Sequence, residues 1–154
     1  MNADLKIGVA GFCWGGGLGI QLAWDDEDSK VVRYATENSH NKTVDGEKRA
    51  LIDCAFTAHP ALVKAPADLK RVNVPLSVCI GVEDEWMKGS DVAVMKKVLD
   101  EKNAKEDGGR YECVLLEGAK HGFAVRSWEG NAVQMGFADV AEKQALAWFQ
   151  KFLC

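Results

Sequence analysis

Cys13 has the strongest chemical context in this sequence. It lies at the centre of the pentapeptide GFCWG at 11–15, which is a glycine–x–nucleophile–x–glycine pattern. The apolar run at 7–10 predicts a strand, and the apolar spacing from Leu18 to Trp24 predicts a helix. Glycines two residues before and two residues after the cysteine are expected to make room for a sharp turn. At the start of the following helix, the helix dipole favours thiolate, the nucleophilic form of cysteine.

Two other interpretations are compatible with a glycine-rich turn that contains a cysteine. A free cysteine is often a small buried hydrophobe, and the pentapeptide alone does not exclude that role. A glycine-rich turn after a strand can also bind phosphate. However, Ile20 occupies the position where a G-x-G-x-x-G motif beginning at Gly15 needs its third glycine. Nucleotide binding is therefore disfavoured.

Three further polar residues follow predicted strands. His59 follows residues 51–58 (LIDCAFTA), Asp84 lies after residues 75–81 (PLSVCIG), and His121 lies after residues 111–116 (YECVLL). The carboxyl ends of parallel strands share one edge of a sheet, so these side chains can meet Cys13 there. A nucleophile, an acid and a histidine in the order Cys–Asp–His are typical of acyl transfer in α/β-hydrolases. The acidic neighbours at 83 and 85 are alternatives for the acid.

Helices are predicted between the strands, so the chain is assigned to the α/β class with a mostly parallel sheet of about four strands. One helix is expected to be capped by Ser90, with an apolar face at 92, 95, 98 and 99. A final helix carries an apolar stripe from Val133 to Phe152. Residues 25–48 are polar and predict a surface segment with one helical turn around 31–35 and a solvated His40.

Composition excludes several classes of function. A length of 154 residues suits a single domain, and 47% hydrophobic with 27% charged residues is ordinary for a soluble protein. A net charge of −4 and the lack of a basic tract argue against nucleic acid as a partner. No apolar run is long enough to span a membrane, and the first residues do not resemble a signal peptide. The five cysteines lack metal-binding spacing, which favours a reducing, cytoplasmic location without a metal.

Four segments together resemble the dienelactone hydrolase family, in particular its fungal members. They are GFCWGG at 11–16, AHP at 58–60, GVED at 81–84 and HGF at 121–123. The resemblance covers nearly the whole chain apart from residues 25–48. It implies the C-terminal portion of an α/β-hydrolase fold with flanking helices. It also implies no cofactor, no metal and a small lactone or ester as the substrate.

The same resemblance implies catalytic roles for individual residues. Cys13 would attack the carbonyl and form an acyl-thioester, with Asp84 as the triad acid and His121 as the base. The backbone N–H of Trp14 would bind the oxyanion. Asp84 is preferred over its acidic neighbours because of its spacing from Gly81.

Three positions are expected to bind substrate on the same grounds. Arg126 is the candidate for holding a substrate carboxylate, although a solvated loop arginine is the alternative. His59 and Phe123 complete the predicted set.

The sequence departs from the family at its start. Family members have a substantial portion before the strand at the cysteine turn, and that portion is implied to supply a second oxyanion donor, a further arginine and a glutamate. Residues 1–154 are therefore predicted to be a single, N-terminally incomplete domain. Residues 5–12 would then form an open sheet edge prone to self-association. The alternatives to a hydrolase are a catalytically impaired remnant that acts as a binding module, and a reactive-thiol protein.

Overall fold

A computed structural model gives the fold and describes residues 6–24, 26–32, 48–106, 109–126 and 129–154. Within these residues the strands are β1 (Gly8–Phe12), β2 (Cys54–Ala58), β3 (Leu76–Gly81) and β4 (Tyr111–Leu116). The α-helices are α1 (Trp14–Leu22), α2 (Ala67–Arg71), α3 (Gly89–Lys105) and α4 (Ala132–Leu153). A short 3₁₀ helix covers Glu27–Ser29.

The four strands form one sheet in the order β1-β2-β3-β4, and every neighbouring pair is parallel. The expected α/β class and the mostly parallel sheet of about four strands are confirmed, and the described strands are all parallel. Because all strands run in the same direction, the residues that follow them collect where the carboxyl ends of the strands lie side by side.

Helices cover both faces of this sheet. On one face, α1, α2 and α3 pack on alternate strand residues such as Ala55, Val78 and Ile80. On the other face, α4 packs on Phe56 and Cys79 through residues that include Ala141 and Trp148. β2 and β3 are buried along their whole length, which explains their nearly continuous apolar sequences.

Most predicted elements are present, with corrected ends. β4 covers the predicted residues 111–116, whereas β2 begins at Cys54, three residues after its predicted start at 51. The predicted Ser90 cap is wrong, because α3 begins at Gly89 and its N-cap residue is Lys88. By contrast, α4 has a side-chain cap, in which Asn131 Oδ1 accepts from the Gln134 N–H at 3.1 Å.

The polar segment is described only in part. Val31 forms an isolated antiparallel bridge with Arg49, so the helical turn predicted around 31–35 does not begin at Val31. The remainder of that turn and His40 lie outside the described residues.

Across the described residues, no helix combines the length and apolar character needed to cross a membrane. The same residues contain no cluster of three or more His, Cys, Asp or Glu side chains arranged to hold a metal ion.

β1 lies at an edge of the sheet. The N–H and C=O groups of its successive residues point alternately toward β2 and away from it. The Ile7 C=O accepts from Asp53 N–H at 2.7 Å, and Cys13 N–H donates to Ala58 O at 3.2 Å. The odd-numbered residues therefore direct their backbone groups toward β2. The even-numbered residues, including Ala10, direct theirs to the other side, where the described part of the chain has no strand.

We expect the purified chain to self-associate through this edge. Ala10→Pro removes an N–H on the open side without removing a hydrogen bond to β2, so it should shift the population toward monomer. Ala10→Val keeps the N–H and should associate as the parent chain does. Size-exclusion chromatography with light scattering measures the monomer fraction of each variant. A monodisperse parent monomer would contradict the expectation.

Candidate active site

The turn after β1 holds Cys13 in an uncommon backbone conformation. Its φ of 51° is in the positive region, and α1 begins at the next residue. A Cβ on Gly11 would overlap the Gly15 carbonyl, and a Cβ on Gly17 would overlap the Ala61 carbonyl. Small residues are therefore required where β1, α1 and the loop after β2 approach one another.

The predicted reason for glycine at position 15 is wrong. A Cβ on Gly15 would have no neighbour within 4 Å, whereas a Cβ on Gly16 would lie 2.9 Å from the Pro60 Cα. The close approach to the rest of the protein falls one and two residues later than the motif indicates.

Cys13, His121 and Asp84 form a continuous hydrogen-bonded chain. Cys13 Sγ lies 3.0 Å from His121 Nε2. On the other side of the ring, Nδ1 lies 2.9 Å from Asp84 Oδ1 and 3.0 Å from Oδ2. His121 and Asp84 are only 3% and 4% exposed, whereas Cys13 is half-buried. The structure thus brings together three residues separated by up to 108 positions in the sequence.

Three successive residues in the loop after β3 contact His121 and hold it in place. Asp84 contacts the imidazole, and Glu85 Oε2 accepts from the His121 backbone N–H at 2.7 Å. This hydrogen bond lowers the pKa of Glu85. Trp86 stacks on the imidazole with ring centroids 5.2 Å apart and an angle of 27° between the planes. Asp84 Oδ1 also accepts from the Trp86 N–H at 2.9 Å, which ties the acid to the stacking residue.

Trp86 was not singled out from the sequence. Its side chain is 65% exposed although it is a large aromatic residue. The available sequence signal is a tryptophan within the acidic loop after a strand, where a large aromatic residue is not needed to fill a core.

The predicted oxyanion donor, the Trp14 backbone N–H, lies at the start of α1. Trp14 is the first residue of α1, so its backbone N–H has no carbonyl within that helix to bond. Its side chain is largely exposed and borders a pocket of about 160 Å³ lined by Leu18, Ala61 and Leu62. An apolar space therefore adjoins the cysteine turn.

The three predicted substrate-binding residues lie in different environments. Arg126 is exposed and packs across Gly122, where an added Cβ would meet its guanidinium, so it lies beside the His121 loop. His59 and Phe123 are fully buried, with ring centroids 5.3 Å apart. Their burial corrects the expectation that they contact substrate, because a buried ring cannot touch a ligand at the surface.

Three of the other four thiols have less reactive environments. Burial raises the pKa of Cys54 to about 11 and the pKa values of Cys79 and Cys113 to about 12. These three thiols stay protonated at neutral pH and lie inside the sheet. Cys154 is exposed at the end of α4.

The fold and this cluster define the protein as one of the α/β-hydrolase class. The model of the dienelactone hydrolase family matches residues 2–153. The chain therefore belongs to the dienelactone hydrolase family.

Individual proteins are similar to this chain in sequence or in fold. The hydrolase tropI from Talaromyces stipitatus is 28% identical over 149 residues, which are 96% of this chain and 46% of that protein. A structure assigned provisionally to the dienelactone hydrolases, from Klebsiella pneumoniae, superimposes with a TM-score of 0.57 at 18% identity. That comparison covers 94% of this chain and 52% of the other.

A thermophilic esterase from Thermogutta terrifontis has the same fold. It superimposes with a TM-score of 0.53 at 17% identity, over 92% of this chain and 54% of the esterase. The chain thus spans about half the length of the relatives it matches.

We expect Cys13 to be the fastest-alkylated thiol near neutral pH, because a histidine nitrogen is within hydrogen-bonding distance and a helix begins beside it. Brief iodoacetamide treatment followed by peptide mass spectrometry measures each site. Cys154 is the internal control for simple exposure. His121→Gln should slow labelling of Cys13 and leave labelling of Cys154 unchanged. Faster labelling of Cys154 in the parent chain would contradict this expectation.

Proposed function

We propose that this chain hydrolyses a small lactone or ester through the triad Cys13–His121–Asp84. The observation that carries the proposal is the unbroken path from Sγ through the imidazole to a buried carboxylate, with contacts of 3.0 and 2.9 Å. The Asp84 carboxylate can only accept, so it selects the tautomer with hydrogen on Nδ1. Nε2 is then free of hydrogen and can take the thiol proton.

The first half of the reaction forms a thioester. As Nε2 takes the proton, Sγ attacks the carbonyl carbon and the electron pair of the C=O moves onto oxygen. The Trp14 N–H, at the start of α1, donates to this oxyanion. Collapse of the intermediate breaks the carbon–oxygen bond of the ester. His121 returns the proton to the departing alkoxide, which in a lactone stays attached to the acyl group.

The second half restores the enzyme with water. His121 removes a proton from a water molecule, which attacks the thioester carbonyl. Breaking the carbon–sulfur bond releases the carboxylic acid and regenerates Cys13 with a proton from His121. The overall reaction consumes one ester and one water, and it needs no cofactor or metal.

A small anionic substrate fits the surroundings of the triad best. Arg126 is an exposed cation beside the loop that carries His121, and a guanidinium binds a carboxylate in bidentate fashion. The adjoining apolar pocket of about 160 Å³ limits the group that can be accommodated there. We propose neither nucleic acid nor membrane as a partner.

The triad is tested by esterase activity toward p-nitrophenyl acetate. We expect Cys13→Ala to abolish turnover, and Asp84→Asn to lower kcat by about 10³–10⁴-fold, as in other triads that lose the correct histidine tautomer. Cys154→Ser is the matched control, and it should keep the parental rate. After rapid quenching, an acetyl group should be found on the peptide containing Cys13. Turnover by Cys13→Ala equal to that of the parent chain would contradict the proposal.

Arg126 is tested by comparing two esters that differ by one carboxylate. Arg126→Gln should raise KM for the carboxylate-bearing ester by about tenfold and leave the neutral ester within about twofold, because one charge-assisted contact is lost. Arg126→Lys keeps the charge but not the planar fork, so it should lie between the two. Equal changes in KM for the two esters would contradict a contact between Arg126 and the substrate carboxylate.

A further inference from the structure

The segment that follows β2 holds the backbone of Cys13 from both sides of the residue. The Cys13 N–H lies 3.2 Å from Ala58 O and 3.2 Å from His59 Nδ1. The Cys13 C=O accepts from the Ala61 N–H at 2.9 Å. A cysteine at positive φ persists only where its surroundings fix it, and these contacts supply that constraint.

The contact with His59 also fixes the protonation of its ring. A backbone N–H can only donate, so Nδ1 must present a lone pair and the ring proton must be on Nε2. The ring is fully buried, and within the described part of the chain Nε2 has no hydrogen-bond partner. Burial, and then the charge on His121 when that ring is protonated, lower the pKa of His59 to about 4. His59 is therefore neutral at physiological pH.

The same ring contacts the proposed base. His59 and His121 have ring centroids 4.9 Å apart, with 65° between their planes. Trp86 stacks on His121 as well. One side chain thus contacts both the backbone of the nucleophile and the ring that takes its proton.

We propose that His59 is a positioning residue of this site, which holds the Cys13 backbone through Nδ1 and packs its ring against His121. This inference rests on the proposed function and replaces the substrate contact that the sequence indicated for His59. The pairing keeps Sγ and the His121 Nε2 within hydrogen-bonding distance. It works only while His59 is neutral, because a protonated Nδ1 would direct a second donor at the Cys13 N–H.

The consequence for pH follows from the charged and titratable groups around the ring. They are Cys13, His121, Asp84 and Arg126. His59 titrates at about 4 in the folded chain, below the ordinary value of 6.5. The unfolded chain therefore binds the proton first, and this residue's contribution to stability is complete above pH 6.5. It is lost progressively as the pH falls toward 4.

Two substitutions separate the acceptor from the rest of the side chain. Asn places an oxygen close to the position of Nδ1, and it tolerates the positive φ of 39° at this residue. Leu has a similar size without an acceptor, and a leucine already adopts a φ of 62° in this chain at Leu62. His59→Asn should therefore keep the contact with Cys13, and His59→Leu should lose it.

The main readout is the iodoacetamide rate of Cys13 at pH 7, with circular dichroism to verify folding. We expect His59→Leu to slow this rate by about tenfold, the size of one lost backbone hydrogen bond. His59→Asn should slow it less, because it keeps the acceptor for the Cys13 N–H but loses the ring that packs on His121. The kcat for p-nitrophenyl acetate should change in parallel. Equal alkylation rates in the two variants and the parent would overturn the inference.

A second measurement decides the matter if His59→Leu does not fold. Between pH 6.5 and 4 the melting temperature of the parent should fall more than that of His59→Asn, which cannot titrate there. Equal decreases would overturn the inference. Absence of esterase turnover in the parent would instead contradict the proposed function, because the alkylation and melting measurements do not depend on turnover.

Discussion

The backbone of Cys13 is the constraint on which the rest of this structure depends. A residue with a φ of 51° between a strand and a helix is stable only if the two elements pack closely enough to hold it. The elements can pack this closely because Gly11, Gly16 and Gly17 have no side chains. A Cβ at any of these positions would overlap neighbouring backbone atoms. The loop after β2 closes the arrangement by bonding both the N–H and the C=O of Cys13. A larger residue at any of these glycines would separate the elements and release the cysteine from its place.

The strand order determines where the loops after β2, β3 and β4 place their polar residues relative to Cys13. Neighbouring strands lie about 4.8 Å apart, so the ends of β1 and β4 are separated by roughly 14 Å. His121 follows β4 and still reaches the Cys13 thiol, so its loop crosses the ends of β3 and β2. Asp84, in the loop after β3, lies under this crossing and contacts the His121 ring at Nδ1. His59 at the end of β2 fills the remaining space beneath the crossing loop.

Local signals were sufficient to predict the strands, the α/β class and the order of the polar residues at the strand ends. These features depend on short-range periodicity and on the common direction of parallel strands. Contacts between elements were not predictable in the same way. The burial of His59 and Phe123, the stacking of Trp86 and the requirement for Gly16 rather than Gly15 depend on how loops cross in space. The Ser90 cap failed for a smaller reason, because α3 begins one residue before the expected cap.

Two adjacent carboxylates lie beside one histidine, and backbone hydrogen bonds determine which of them contacts the imidazole. Asp84 and Glu85 could both bind the imidazole, yet only Asp84 contacts Nδ1. The Glu85 carboxylate is engaged by the His121 backbone N–H, and the Trp86 N–H orients the Asp84 oxygen. Each acid therefore has a separate partner on the same residue, one on the ring and one on the main chain. The ring is thus held by its edge, its face and its own peptide group, and only Nε2 remains directed at the thiol.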